Sequence, residues 1–476
     1  MQLIHKSRGK NLQLVHLSRG KNLHFLVWSV IIREKEGNDM LKRKIAEKLL
    51  NWKNSKENMC LLVRGARQVG KTYIINEFAK SNYKSYIYIN FELEPSYKSI
   101  FDGNLDIKTL KMKLELSFPN IPLISNDTII FLDEIQACPN ARTALKSFAM
   151  DSTIDVVASG SLLGLYYKEI SSYPVGYERI IDMYPLDFEE FLWAIGVKEE
   201  IIDVARNSFN NLLPLDQYVL KQFEEYFKMY LLVGGMPKIV NTYIQTNSLI
   251  NVLELQKGII ENYKMDILKY ASDTSKQKII NCFDSIPSQL TKANKKFLYK
   301  DIISANPNEG ERKYFSSLER LRDAGIINVC NNLTEPASPL VSNVIENSFK
   351  IYVRDTGLLI SMFEQGVQKD ILNENLYINE GAILENVCAE EIKTRYDKVM
   401  YFQKKSKLKI NFILNIDGKV TALEVKSGNN KQAKSLKSII ENYKTVSRYI
   451  KLEKGSNVYV DEFNIEHYPL FMIMFI

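Results

Sequence analysis

Histidine is scarce in this chain of 476 residues: only four occur, and His5, His16 and His24 sit near the start, leaving His467 for the rest. That distribution all but excludes a Ser-His-Asp hydrolase, an HExxH metalloprotease or a histidine-rich metal centre. Five cysteines (Cys60, Cys138, Cys282, Cys330, Cys388) are scattered without a CxxC pair. Neither a zinc ribbon nor a disulfide framework fits, whereas a reducing cytosol does. No apolar run reaches the roughly 18 residues that span a bilayer. Leu23 to Ile32 is short, contains His24 and is followed by Arg33-Glu34-Lys35-Glu36, so it reads as neither signal peptide nor anchor. A cytoplasmic protein with no membrane partner is expected. Excess charge is scarce too: of the formal +7, residues 1–39 supply seven basic and three acidic side chains. Nucleic-acid binding, if present, must therefore come from a local patch and not from a global field.

What the chain does have is Gly65-Ala66-Arg67-Gln68-Val69-Gly70-Lys71-Thr72, which fits the phosphate-binding pattern GxxxxGK[ST] without substitution. The apolar run Met59 to Val63 reads as a buried strand before it, and Tyr73 to Lys80 as a helix after it. Glycines let successive backbone N–H groups close around phosphate oxygens. Lys71 is placed to reach the β- and γ-phosphates of ATP, and Thr72 to bind Mg²⁺, while the new helix points its positive end at the anion.

A second apolar strand, Thr128 to Leu132, ends in Asp133-Glu134. Two acids there can cap a following helix. Beside a phosphate loop they read instead as the acid pair of a nucleotide hydrolase, Asp133 holding Mg²⁺ through water and Glu134 deprotonating the attacking water. Ile154 to Ala158 is a further strand leading into Ser159-Gly160-Ser161. Ser161 is either a γ-phosphate sensor or part of a plain Ser-Gly turn.

Chain length suggests about three domains. Residues 3–12 recur with small changes at 14–23. Two copies cannot form a solenoid, and translated upstream DNA before a start at Met40 is the simpler reading, so residues 1–39 are expected to be poorly packed. Strand and helix signals alternate over 40–200, the pattern of a doubly wound parallel sheet. Residues 201–275 read as helices broken at Val233-Gly234-Gly235-Met236-Pro237. Residues 276–335 end in a helix, a glycine and a strand, which is winged-helix-like, with a turn-rich wing or linker from Asn331 to about Asn347. Residues 336–476 return to α/β character. The fold class is thus α/β: a P-loop parallel sheet, a helical and winged-helix region, and a second, smaller α/β domain.

These motifs resemble those of the bacterial and archaeal AAA-type ATPases that carry a C-terminal domain known as DUF4143. GARQVGKT at 65–72, DEIQ at 133–136 and SGS at 159–161 fit, as do PVGYERIIDMYPLDFEEFL at 174–192 and GGMPKIV at 234–240. SIPSQLTKANKKF at 285–297, DTGLL at 355–359 and EVKSG at 424–428 complete the series. The resemblance implies ATP binding and hydrolysis, a winged helix and a C-terminal domain similar to PD-(D/E)xK nucleases. It also places an arginine, here Arg179, just before Tyr184-Pro185-Leu186. Arg179 either reaches a γ-phosphate as a finger, in its own chain or in a homo-oligomeric neighbour, or pairs with Asp187 or Glu189 on the surface. Arg67 reads as structural.

A nuclease needs carboxylates around a divalent metal and a lysine beside them. Glu385 is expected on a helix, and Glu424 and Lys426 on one face of a strand. Where the domains it resembles carry an aspartate, in an acidic–apolar–Asp-Phe run, Lys409-Ile410-Asn411-Phe412 offers neutral Asn411, a poor ligand for a hard cation. Asp417 sits in the hairpin turn Ile416 to Lys419 and cannot replace it. An active nuclease is therefore not expected. Lys404, Lys405, Lys407, Lys409, Lys426, Lys431, Lys434 and Lys437 make the region basic, either a DNA grip or a solvated face. Lys292, Lys295, Lys296 and Lys300, at helical spacing, and Arg312-Lys313 at the start of a later helix are open to the same two readings.

Overall fold

The computed structural model describes residues 41–55, 57–161, 174–269, 273–303, 312–364, 366–373, 380–404, 408–427 and 433–476. The expectation for residues 1–39 lies outside them. Five short runs rich in β-branched and aromatic residues become parallel strands: β1 (Cys60–Gly65), β2 (Ser85–Asn90), β3 (Thr128–Asp133), β4 (Asp155–Ser161) and β5 (Glu178–Met183). Their order across the sheet is β2-β3-β4-β1-β5. Every residue of β3 is buried, as befits a central parallel strand covered on both faces. The helices Lys71–Asn82, Ile107–Ser117 and Pro139–Asp151 lie between these strands in the chain. Leu62, Ile89, Ile130 and Leu132 of the strands share one core with Leu110 and Leu114 of the second helix and Leu145 and Phe148 of the third, each large side chain contributing about 1.5–3 kcal/mol by leaving water. Gly65, Asp133 and Ser161 all end strands at the carboxyl edge, where open α/β sheets hold ligands.

The helix Phe188–Ala194 comes next, and four more follow it: Glu199–Asn211, Gln217–Val233, Pro237–Thr246 and Leu249–Lys269. Asp216 caps the second of these four by accepting from the Tyr218 and Val219 amides. Gly234, at φ 74°, breaks it, and Pro237 opens the next helix.

The helices Asp273–Asp284, Ile286–Leu290, Lys300–Ile303 and Arg312–Asp323 lead to Gly325 and β6 (Ile327–Leu333), which pairs antiparallel with β7 (Val344–Val353). On its other side β6 runs parallel to β8 (Val399–Lys404), and β9 (Leu408–Ile410) completes this sheet in the order β7-β6-β8-β9. The division near residue 335 thus falls inside a shared sheet. Asn331 and Asn332, expected in a wing or linker, are strand residues opposite Met400 and Tyr401. The lysines expected at helical spacing differ as well: Lys292, Lys295 and Lys296 lie in the turn between two short helices, with Lys295 at φ 52°. Pro287 and the short Ile286–Leu290 helix leave too little length to continue.

A third sheet contains β10 (Phe412–Ile416), β11 (Lys419–Lys426), β12 (Arg448–Glu453), β13 (Tyr459–Val460) and β14 (Glu466–Pro469), ordered β10-β11-β12-β14-β13. The β10–β11 hairpin turns at Asp417 and Gly418, both at positive φ, in line with the sequence. The helix Glu380–Arg395 is buried at every position from Ala382 to Ile392, so it runs through the interior instead of along a surface. Residues 41–476 make one unit.

Candidate functional site

The phosphate loop leaves β1 at Gly65, where a Cβ would lie 2.4 Å from the Met183 carbonyl oxygen of β5. Gln68 at φ 68° and Gly70 at φ 94° turn it, and the helix begins at Lys71. Such a turn directs backbone N–H groups inward as an anion nest. Lys71 is buried, and its Nζ donates to the Gly65 and Ala66 carbonyls at 3.1 and 2.9 Å. Burial pulls this ammonium down to about 8, against the pull of Glu134 and Asp133, which hold it up.

Thr72 donates its hydroxyl to Asp133 Oδ2 at 2.9 Å, joining loop to strand end. The same carboxylate accepts from Tyr88 at 3.0 Å, from Asn90 at 3.1 Å and from Ser159. A carboxylate oriented by so many donors, next to a hydroxyl, suits a hard cation held partly through water. Glu134 follows at φ 52° and accepts from Gln136. Burial pushes its carboxyl above the ordinary value, toward the range of a general base. Ser161 ends β4 directly opposite Gly65. Lys71, Thr72, Asp133, Glu134 and Ser161 therefore gather where three parallel strands end.

Arg179 is not among them. It pairs with Leu61, four residues upstream of Gly65, so it stands toward the amino end of the parallel strands, away from the loop. Its guanidinium meets Glu57 at 3.4 Å on the surface. The expectation of a finger in the same chain is corrected by strand direction, and so is the expected pairing with Asp187 or Glu189. Those acids bind Lys44, and Glu189 also binds Arg206. Arg67 pairs with Asp266 at 2.9 Å while Tyr263 donates to its carbonyl at 3.0 Å.

Sequence reading missed Tyr88, Asn90, Ser159 and Arg43. Tyr88 and Asn90 alternate on one face of β2, and polar residues at i and i+2 ending an apolar strand were the available signal. Arg43 reaches the Val69 carbonyl at 3.1 Å from a distant segment, with no local signature.

In the C-terminal region Glu385 does lie on a helix, and Glu424 and Lys426 do share a face, 2.8 Å apart. The surroundings do not fit a divalent cation. Glu385 accepts from Lys295 at 2.7 Å, Lys350 at 3.1 Å and Tyr352 at 3.1 Å, and Lys409 stands 4.0 Å away. Burial pushes its carboxyl up, but Lys350, Lys295 and Lys409 outweigh that and hold it well below the carboxylate range. Asn411 spends its Oδ1 on the Val425 amide at 3.0 Å. Among the described residues no group of three or more His, Cys, Asp or Glu side chains is arranged to hold a metal.

Comparisons with known proteins match three separate segments of the chain. A family model described as an AAA domain matches residues 57–192, a domain of unknown function (DUF8612) matches 224–369, and a domain of unknown function (DUF4143) matches 380–471. An uncharacterized protein of Methanocaldococcus jannaschii is 25% identical over 366 residues, 75% of this chain and 72% of its own. A Walker-type ATPase of Pyrococcus abyssi is 15% identical at a TM-score of 0.42, covering 70% of this chain and 99% of that one. The Aeropyrum pernix ORC1 protein, solved in complex with DNA, is 12% identical at 0.29, covering 74% and 97%. Neither score is high enough to bear on function. No helix among the described residues is long and apolar enough to cross a membrane. The intact phosphate loop lies inside the first match and the helix Glu380–Arg395 inside the last, so the chain carries an AAA domain and, toward its C-terminus, a DUF4143 domain.

Proposed function

We propose that the protein is an Mg²⁺-dependent ATPase whose nucleotide state acts as a switch, working on or near DNA. One observation carries the reading: Lys71 and Thr72 from one loop meet Asp133 and Glu134 from another strand, with Thr72 hydrogen-bonded to Asp133. Thr72 and Asp133 would hold Mg²⁺, which would neutralise charge on the β- and γ-oxygens. Lys71 would leave the Gly65 and Ala66 carbonyls to pair with the phosphates. Glu134 would accept a proton from water as the water oxygen bonds to the γ-phosphorus and the β–γ bridge breaks, giving ADP and phosphate. Support for DNA is coarser: the order of helices and hairpin over 276–353 fits a winged helix.

ATP turnover in wild type, Lys71→Ala and Glu134→Gln tests the chemistry. Turnover should fall by about 10²–10⁴-fold in Glu134→Gln with ATP still bound, and should be lost with binding in Lys71→Ala. Turnover unchanged in both would reject the assignment. A non-hydrolysing, ATP-gated binding module is the second reading, favoured by the hydrogen bond from Gln136 that occupies Glu134. It predicts tight binding with no turnover in wild type. Arg179 would serve only a neighbouring copy, so a monomeric mass during turnover removes it from the chemistry.

A further inference from the structure

The group around Glu385 carries more positive than negative charge. Four ammonium groups (Lys295, Lys350, Lys409, Lys426) face two carboxylates, Glu385 and Glu424. Lys350 is fully buried and Lys295 nearly so, and both are used up on Glu385. Lys295 is held there in a left-handed backbone conformation that a residue with a Cβ adopts only at a cost. It also donates to the Gly381 carbonyl, and a Cβ on Gly381 would stand 3.3 Å from its Nζ. Lys409 is different. It lies beyond hydrogen-bond reach of Glu385, keeps 26% of its side chain exposed, and crowds against the other lysines. Lys426, whose Nζ lies 2.8 Å from Glu424, keeps 33% of its side chain exposed. Asn411, committed to the backbone, adds no negative charge. With four ammonium groups to two carboxylates the cluster is short of negative charge, and an incoming anion supplies it.

We propose that this lysine cluster is a phosphodiester-binding site at which the protein grips a polynucleotide backbone without cutting it. Lys409 and Lys426 contact the phosphate, while Lys295 and Lys350 neutralise the acid that would otherwise repel it. The Lys409 and Lys426 side chains are both partly exposed, which suits one phosphate of a strand lying along the surface better than a whole enclosed nucleotide. The turn that supplies Lys295 lies within the segment 276–353, whose order of elements fits a winged helix. The inference therefore extends the DNA half of the proposed function and is independent of ATP chemistry.

The test is fluorescence anisotropy with labelled single-stranded and duplex oligonucleotides, in EDTA and on the Lys71→Ala background, so that ATP turnover cannot affect the result. Lys409→Gln and Lys426→Gln should each weaken binding about five- to tenfold and lower the log–log salt slope by about 0.7–0.9. Lys409→Arg should restore both, with thermal melts reporting that all variants fold. Unchanged affinity in both glutamine variants overturns the proposal. So does binding that requires Mg²⁺, or cleavage of the oligonucleotide in Mg²⁺ or Mn²⁺. Inorganic phosphate should compete only weakly; competition equal, per phosphate, to that of the oligonucleotide would assign the site to a free anion and overturn the polynucleotide reading.

Discussion

Lys71 is the residue on which nucleotide chemistry turns, and its burial sets a pH limit. Burial pulls its pKa down from the ordinary lysine value of 10.5 to about 8, although the Gly65 and Ala66 carbonyls accept from it. A polyphosphate beside the ammonium favours the charged form, so binding takes up a proton wherever the free side chain is neutral. ATP affinity should therefore be level below about pH 8 and fall above it by as much as tenfold per pH unit. Calorimetric titration in two buffers of different ionisation enthalpy reads that proton uptake directly. Lys71→Arg, whose guanidinium stays charged, should remove the decline. Equal proton uptake in both proteins would place the titrating group elsewhere.

The Gly234-Gly235 break joins elements far apart in sequence. A Cβ on Gly235 would meet the Leu186 carbonyl oxygen at 2.0 Å, and one on Gly234 would meet Asp355 Oδ1 at 2.3 Å. The Gly235 amide donates to Asp355 at 2.7 Å, and its carbonyl accepts from Leu186 at 2.7 Å. Gly235→Ala should destabilise by about 1–3 kcal/mol or more, because backbone and not a flexible side chain must move. Gly258→Ala is the control: it sits in the Leu249–Lys269 helix with open space around it and should stabilise by about 0.5–1 kcal/mol. Urea unfolding of the pair checks both signs, and equal midpoints would reject the clamp. This break was legible in sequence as an interruption between helices; what it grips was not, since Leu186 and Asp355 are remote along the chain. The same division runs through the rest. The loop 65–72 and the acids at 133–134 were readable because each is a local run fixed by strand, turn and helix. Arg179 was misplaced because closeness to Tyr184 in sequence says nothing of which end of β5 it occupies. The β6–β8 pairing could not be read either, because a parallel partner with a long intervening segment leaves no turn signal between the strands.

Taken whole, residues 41–476 are tied together by buried carboxylates between the parallel sheet and the Glu380–Arg395 helix. Arg43 links the Val69 carbonyl to Glu190, which with Asp187 forms a capping box at the helix Phe188–Ala194. Glu391 accepts from the Phe188 amide at 2.7 Å, and Glu390 from Tyr230 at 2.9 Å and from Thr356. Asp355 then accepts from the Gly235 and Leu358 amides. A continuous chain of contacts thus runs from the phosphate loop to the C-terminal region, the path along which the proposed switch would act. Burial, with Asp187 adding to it, pushes the Glu391 carboxyl to about 7 from an ordinary 4.5. The folded state therefore holds a proton that the unfolded chain releases between those values, and stability must fall as pH rises across that window, the loss being complete above about 7. Its size is about 1–3 kcal/mol, at roughly 1.4 kcal/mol per pH unit with neighbouring charges sharing the effect. Glu391→Gln keeps an acceptor for Phe188 but cannot titrate. Subtracting its unfolding free energy from that of wild type at each pH cancels every other group, and the difference should slope downward from about pH 4.5 to 7. A flat difference would show that Glu391 is ionised throughout and that Arg395, 3.4 Å away, holds this joint by charge.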